Sequence, residues 1–360
     1  MKRVHNFSAG PAVLPLEVLE KAQQDLVDYK GTGTSIMEKS HRGVEYTQVD
    51  ASARERLSRI LGLGDDYEIM FLQGGASTQF YMAPLNFLDE NETVDYINTG
   101  TWSKKAIKEA KRFGNVNVAF SSESGNFNRV PANNELSLTP DAKYVHFTSN
   151  NTIFGTQFKA EPETNGVPLI CDASSDFLSH PIDIDKYGMI YAGAQKNLGP
   201  AGVTVVIMKK DFLSTIKKDN IPTMADYRTH AGGAMFNTPP AFAVYMVELV
   251  LEWVENKGGL EFFKTFNEEK AALLYNEIDA DDFYSGTADS DSRSDMNVTF
   301  RLPNEELEAI FLKQATANEL TALKGHRSVG GFRASIYNAC PRESVEALVS
   351  FMKEFRAKHG

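Results

Sequence analysis

Between residues 67 and 208, short apolar runs typical of buried strands alternate with segments of helical spacing. Helical patterns lie at Phe80–Leu88 and Lys104–Phe113, between neighbouring apolar runs. Strands that alternate with helices predict an α/β fold with a mostly parallel seven-stranded sheet covered by helices. The predicted strands are Glu68–Leu72, Val94–Asn98, Val116–Phe120, Tyr144–Thr148, Pro168–Asp172, Met189–Ala192 and Val203–Met208.

The pattern on either side of this region predicts two domains. Helices are indicated before it at Leu16–Tyr29 and Val44–Leu61, and after it at Ala241–Glu255. Beyond Gly258 and Gly259 the chain changes to an α+β pattern that ends in a helix with an apolar stripe. We therefore expect a large domain over residues 15–258 and a small C-terminal domain over 259–360, with residues 1–14 packing on the small one.

Composition narrows the class of protein. The 360 residues are 42% hydrophobic and 11% aromatic, and the net charge of −11 argues against a nucleic-acid or membrane surface. We expect a cytoplasmic protein, because the N-terminus has no apolar signal core and no apolar run could span a bilayer. The two cysteines, Cys171 and Cys340, predict neither a disulfide framework nor a metal site.

The most informative residue is Lys196. It follows a predicted strand and lies among glycines and small residues, which let a ligand approach the backbone closely. The preceding strand of the sheet ends in a carboxylate, Asp172. A lysine that forms a Schiff base and an aspartate that pairs with a pyridinium nitrogen are the chemistry of pyridoxal 5′-phosphate. The alternative for Asp172 is a helix cap or an internal salt bridge.

Three further segments follow predicted strands. The run Gln73–Phe80 opens a helix with glycines and hydroxyls and could hold a phosphate, although a plain tight turn has the same pattern. Trp102 could stack on a flat heteroaromatic ring or simply cap the core. The Thr152 hydroxyl could reach the cofactor, but its surroundings also resemble an ordinary polar loop.

Cationic residues gather in two short loops. His41 and Arg42 lie in one, and His326, Arg327 and Arg333 lie in or beside a glycine-rich second one. In an acidic protein such clusters predict capture of anions, because the guanidinium fork matches carboxylate and phosphate. Solvated surface charge is the alternative for any single arginine.

Taken together, these motifs resemble the phosphoserine aminotransferases, which are fold-type I pyridoxal phosphate enzymes. The resemblance covers essentially the whole chain. The stretches that carry it are Asn6–Ala12, Ser40–Gly43, Gln73–Ser77, Thr101–Ser103, Asp172–Asp176, Tyr191–Asn197, Gly325–Gly331 and Arg333–Ala339.

The resemblance implies a role for each candidate residue. Lys196 would hold pyridoxal 5′-phosphate, Asp172 would pair with its ring nitrogen, and Trp102 would stack on the ring. Further cofactor contacts would come from Thr152, Ala76, Ser77 and Gln195, and from Asn237 and Thr238 of the neighbouring subunit in a homodimer with shared active sites. The substrate contacts would be Ser8, His41, Arg42, His326, Arg327 and Arg333.

The implied activity is reversible transamination of 3-phosphohydroxypyruvate with L-glutamate in serine biosynthesis, with pyridoxine biosynthesis as a further use. Some family members have an arginine at the position of Ser77, where this chain offers only a hydroxyl. Alternatives are another enzyme of the same fold, such as an alanine–glyoxylate aminotransferase or a cysteine desulfurase, and a non-catalytic anion binder.

Overall fold

The computed structural model describes residues 3–233 and 235–360. Helices cover both faces of a central sheet and one face of a smaller one. Within the described residues the helices are α1 (Leu16–Asp25), α2 (Val44–Leu61), α3 (Gly75–Phe87), α4 (Thr101–Ala110), α5 (Lys210–Leu213), α6 (Tyr227–His230), α7 (Ala241–Lys257), α8 (Gly259–Ile278), α9 (Glu305–Ala317) and α10 (Arg342–His359). None of them is long and apolar enough to cross a bilayer.

The strands form one large sheet and three small ones. The described strands are β1 (His5–Asn6), β2 (Tyr67–Leu72), β3 (Thr93–Asn98), β4 (Asn115–Ser121), β5 (Val145–Thr148), β6 (Asn150–Asn151), β7 (Thr156–Gln157), β8 (Leu169–Asp172), β9 (Tyr187–Gly193), β10 (Thr204–Lys209), β11 (Ser285–Gly286), β12 (Asn297–Arg301), β13 (Leu320–Thr321) and β14 (Phe332–Ser335). The large sheet has the order β2-β10-β9-β8-β5-β3-β4, and β10 is antiparallel to both of its neighbours while the other pairs are parallel. The predicted mostly parallel seven-stranded sheet is therefore confirmed.

Side chains of the large sheet alternate between two cores, as the two-residue period of a strand requires. In β2, Ile69 and Phe71 face a core shared with α2 and α7, whereas Met70 and Leu72 face a core shared with α3 and α4. Because both faces are covered, the strands are apolar along most of their length. This explains why their positions could be read from the sequence.

A separate core lies within the C-terminal third. The antiparallel sheet β11-β12-β14 packs with α8, α9 and α10, and the N-terminal residues Phe7 and Val13 belong to the same apolar cluster. Strand β1 pairs in parallel with β13, with His5 opposite Leu320. This grouping follows the expected division at residue 258, and the division itself stays a prediction.

Several element boundaries differ from the sequence-based prediction. Helix α1 ends at Asp25 rather than Tyr29, and Tyr29 lies in a following 3-10 turn. Helix α4 begins at Thr101 rather than Lys104, because the Ser103 hydroxyl accepts hydrogen bonds from the amides of Thr99 and Gly100 and so caps the helix start. Trp102 is therefore a helical residue of the first turn and not a loop residue.

Candidate active site

The candidate site lies at the carboxyl ends of adjacent strands in the large sheet. Asp172 is the last residue of β8, and its partner in the neighbouring strand β9 is Tyr191. Strand β9 ends at Gly193, and the turn that follows contains Lys196. The parallel arrangement thus brings both predicted cofactor residues to the edge of the sheet where ligands of α/β proteins bind.

The Lys196 amine is held between a hydroxyl and an aromatic ring. Its Nζ donates a hydrogen bond of 2.6 Å to Thr152 Oγ1 and lies 5.5 Å from the centroid of the Trp102 ring. Burial lowers the pKa of Lys196 from 10.5 to about 8, the charge of Asp172 opposes this shift, and the charge of Arg333 adds to it. A substantial fraction of the amine is therefore neutral near physiological pH.

Asp172 is a buried carboxylate, with 3% of its surface exposed. Its Oδ1 accepts hydrogen bonds from the backbone amide and the hydroxyl of Ser174, at 3.1 and 2.6 Å, while no described residue donates to Oδ2. Burial raises the pKa of Asp172, and the bond from Ser174 and the charge of Lys196 oppose that rise. A cationic partner at Oδ2 would offset the cost of burying this charge.

Helix α3 presents its N-terminus beside these residues. Gly74, which precedes the helix, has a φ of 90°, and a Cβ there would come within 1.9 Å of Thr78 Oγ1, so the turn requires glycine. No side chain of the described residues caps this helix start. The amides of Gly75, Ala76 and Ser77 in the first turn therefore remain available to an anion.

The N-terminal segment crosses over the lysine. A Cβ on Gly10 would lie 3.3 Å from Lys196 Cγ, and the Ala12 amide donates to the carbonyl of Gln195 at 2.8 Å. Ser8 immediately precedes this crossing and is partly buried. Gln195 therefore lies at this crossing, directly before Lys196, and the roles that the resemblance implies for Ser8 and Gln195 stay predictions.

The small sheet contributes Arg333. This residue lies in β14, and its Nη1 donates to the backbone carbonyl of Thr152 at 3.3 Å. His326 and Arg327 lie in the loop before β14, and the pKa of His326 is lowered by burial and then by the charges of Arg333, Arg327 and Lys105. The structure therefore places Arg333 beside the Lys196 site, and the charge of Arg333 reaches His326 of the preceding loop.

The structure does not bring every predicted residue together. His41 and Arg42 lie before α2, Arg42 is exposed, and no hydrogen bond or ion pair joins either of them to Lys196 or Arg333 within the described chain. Asn237 donates to Gln73 Oε1 of the same chain at 3.0 Å, and Thr238 is exposed. The predicted roles of Asn237 and Thr238 involve a second subunit, and the roles of all four residues stay predictions.

The sequence interpretation missed a buried amide network beside Lys196. Asn338 donates through its backbone amide to Asn197 Oδ1 at 2.9 Å, and through Nδ2 to the Leu178 carbonyl at 2.8 Å. Its Oδ1 accepts a bond of 2.8 Å from Asn267 of α8. Asn338 was part of a recognised motif, but nothing in the spacing of these residues reveals that they meet.

The arrangement fits pyridoxal 5′-phosphate. A lysine with a lowered pKa could hold the aldehyde, and a buried carboxylate with a free oxygen could hold a ring nitrogen. The Trp102 indole could cover the ring, and the uncapped N-terminus of α3 could bind the phosphate. These four features are the groups that the aldehyde, the pyridine ring and the phosphate each require.

Comparison with known proteins identifies the family. The sequence profile of the class-V aminotransferases matches residues 4–348. Phosphoserine aminotransferase of Desulfatibacillum aliphaticivorans is 57% identical over 361 residues, which span 99% of each chain.

Two solved structures agree with this match. The phosphoserine aminotransferase of Bacillus circulans subsp. alkalophilus is 54% identical, with a TM-score of 0.97 and full coverage of both chains. The pyridoxal phosphate-bound phosphoserine aminotransferase of Trichomonas vaginalis is 43% identical, with a TM-score of 0.93 and coverage of 98% of this chain and 100% of that one. This chain therefore belongs to the phosphoserine aminotransferase family of the class-V aminotransferases.

Proposed function

We propose that the chain catalyses pyridoxal 5′-phosphate-dependent transfer of the amino group from L-glutamate to 3-phosphohydroxypyruvate. The products are 2-oxoglutarate and O-phospho-L-serine, and the reaction belongs to serine biosynthesis. The observation that carries the proposal is the Lys196 amine, which has a lowered pKa and lies between Trp102 and Thr152 beside the charge of Asp172. The substrate assignment is supported by 57% sequence identity to a phosphoserine aminotransferase over 99% of each chain.

Four parts of the site would hold the cofactor. Lys196 would bind its aldehyde carbon, Asp172 its ring nitrogen, and Trp102 one face of the ring, while the first amides of α3 would bind its phosphate. When bound, the cofactor supplies a carbonyl that takes up the amino group and a ring that withdraws electrons.

Lys196 would act as the general base and acid. Once the amino group of the amino acid has replaced Nζ at the aldehyde carbon, the neutral Nζ would remove the proton from Cα, and the resulting ammonium would deliver that proton to the aldehyde carbon. The hydrogen bond of 2.6 Å to Thr152 Oγ1 fixes the direction of the amine. A pKa of about 8 suits this role, because both protonation states of the amine are populated near neutral pH.

The surrounding cations would bind the substrates. Arg333 would hold the α-carboxylate that both substrates share, and His326 and Arg327 would hold the far anionic end, which is a phosphate in one substrate and a carboxylate in the other. Because the two substrates occupy the site in turn, one basic pocket serves both. Partial burial of Arg333 strengthens its attraction for a carboxylate.

Two further parts of the proposal concern assembly and context. Homodimerisation is supported by exposed apolar side chains. Phe236, 52% exposed, precedes Asn237, which has a predicted role in the site of the neighbouring subunit, and the exposed Met37 and Val44 flank the loop of His41 and Arg42. A cytoplasmic location and a use in pyridoxine biosynthesis stay predictions.

The main test is glutamate-dependent amination of 3-phosphohydroxypyruvate by the purified enzyme. Wild-type enzyme should be yellow and active, and Lys196→Ala should lose turnover while it keeps the circular dichroism of the wild type. Borohydride reduction followed by peptide mapping should place the cofactor on Lys196. Near-normal turnover in the variant, or a colourless protein that cannot be reconstituted, would contradict the proposal.

A mixing experiment tests the shared site. If Asn237 serves the neighbouring subunit, Lys196→Ala and Asn237→Ala form heterodimers in which one site is intact and the other has both defects. Equal mixing should then restore about a quarter of wild-type activity. If each variant alone is inactive and the mixture stays inactive although heterodimers form, Asn237 acts within its own chain.

The cysteine desulfurase alternative lacks a nucleophile in this structure. Cys171 and Cys340 are 1% and 0% exposed. Burial raises the pKa of both thiols, that of Cys340 to about 11, so neither is a mobile thiolate.

A further inference from the structure

Helix α4 carries a cation that neither the motifs nor the mechanism has used. Lys105 lies one turn after Trp102, and its Nζ is 4.5 Å from the centroid of the Trp102 ring. Residues three apart on a helix share a face, so Lys105 projects on the same side as the indole that lies below the Lys196 amine. The Lys105 side chain is therefore at the rim of the candidate active site.

Lys105 has no carboxylate partner among the described residues. Its neighbour Lys104, which is exposed to a similar degree, forms an ion pair with Glu123. Exposed lysines in a chain with a net charge of −11 have many acidic side chains available. An amine that instead lies against an aromatic ring remains free to bind an anion.

The loop that contains His326 and Arg327 lies next to the same rim. Val329 of this loop packs in one apolar cluster with Trp102, Phe127 and Phe154. Arg301 Nη1 donates to the Val329 carbonyl at 3.0 Å and so anchors the loop from behind. The loop therefore faces the first turns of α4.

The charges on the loop and on the helix act on each other. After burial, the charges that lower the pKa of His326 are those of Arg333, Arg327 and Lys105, in that order. Cations that destabilise one another in this way are stabilised together by one multiply charged anion placed between them.

We propose that Lys105 is a specificity-determining residue that binds the phosphate of the phosphorylated substrate together with His326 and Arg327. The inference rests on the proposed function and names a further residue of its substrate site. A phosphate carries about 1.5–2 negative charges at pH 7, against one for a carboxylate. An additional cation therefore favours 3-phosphohydroxypyruvate over glutamate at the same pocket.

The test compares Lys105→Met with Lys104→Met, which removes the same charge from the adjacent position of the same helix. In Lys105→Met we expect KM for 3-phosphohydroxypyruvate to rise about tenfold, as for the loss of a bond to a charged group, with at most a twofold change for glutamate. Lys104→Met should leave both constants within twofold of wild type, and Lys105→Arg should restore most of the affinity for the phosphorylated substrate.

The outcomes separate the two proposals. Equal KM values for 3-phosphohydroxypyruvate in Lys105→Met and wild type, or an equal rise for both substrates, would overturn the role of Lys105 and leave the proposed function intact. A wild-type enzyme that does not aminate 3-phosphohydroxypyruvate would instead refute the proposed function and this inference with it. The unphosphorylated analogue hydroxypyruvate should show no loss on Lys105→Met, because it has no phosphate to bind.

Discussion

The lowered pKa of Lys196 can be tested directly in the cofactor-free enzyme. Burial reduces the pKa from 10.5 to about 8, although the charge of Asp172 acts in the opposite direction. At pH 7 the neutral fraction of the amine is then about 10%, against about 0.03% for an ordinary lysine. The site thus increases the population of the nucleophilic and basic form by about 300-fold.

The assay is competitive labelling of the apoenzyme with trace acetic anhydride between pH 6 and pH 11. Mass spectrometry would quantify acetylation of the peptide that contains Lys196, relative to a free lysine derivative in the same solution. Since only the neutral amine reacts, labelling should rise through a midpoint near pH 8.

Two variants test the cause of the shift. Arg333→Ala removes a charge that lowers the pKa of Lys196, so the midpoint should move up, whereas Asp172→Asn removes a charge that raises it, so the midpoint should move down. Each displacement should be about one pH unit or less. A wild-type midpoint near 10.5, or displacement of both variants in the same direction, would refute the electrostatic argument.

Three other predictions follow from single contacts. Arg333→Ala should lower kcat/KM for both substrates by about 10- to 150-fold, because a charged hydrogen bond to the α-carboxylate that they share is lost. An effect confined to one substrate would exclude that role. Asn338→Ala removes the donor to Leu178 and the acceptor for Asn267. The free energy of unfolding, measured by urea titration, should fall by about 2–4 kcal/mol. Unchanged stability would show that water replaces both bonds. Burial lowers the pKa of His146 from 6.5 to about 3, so the unfolded chain binds more protons between these values and stability falls as pH decreases through that window. At pH 5 the free energy of unfolding is therefore lower by about 2 kcal/mol. His146→Gln should lose less stability than wild type between pH 7 and pH 5 in thermal melts. This difference would be absent if His146 were not buried and neutral.

The sequence predicted the strands well because burial on both faces makes them apolar. All seven strands of the large sheet lie within two residues of their expected bounds, as for β3, expected at Val94–Asn98 and observed at Thr93–Asn98. The reversed direction of β10 could not be predicted, because an apolar run does not encode the direction in which it pairs. The two-residue strands β1 and β13 were not predicted, because they are short and their pairing joins residues more than three hundred positions apart.

The site was predicted where function requires a particular residue type and missed where geometry alone matters. Lys196, Asp172 and Trp102 could be proposed because each would perform a chemical task that few side chains can perform. Ser174 and Asn338 use ordinary hydrogen bonds, which many polar residues make in loops. Lys105 was overlooked because a lysine on an exposed helix face has no distinctive pattern.

Directional polar contacts, rather than apolar packing alone, join the two cores at the active site. Lys270 of α8 is fully buried, and its Nζ donates to the carbonyls of Ile336, Tyr337 and Cys340 at 2.9, 2.8 and 3.2 Å. These carbonyls belong to the segment that leads from β14, the strand of Arg333, and the same segment carries Asn338, which bonds to the residue after Lys196. Apolar surfaces can slide past each other at little cost, whereas buried hydrogen bonds are lost when their partners shift by an ångström. These bonds therefore position the segment that follows the Arg333 strand against the turn of Lys196. A substrate bound through its carboxylate and reacting at its adjacent carbon requires such positioning.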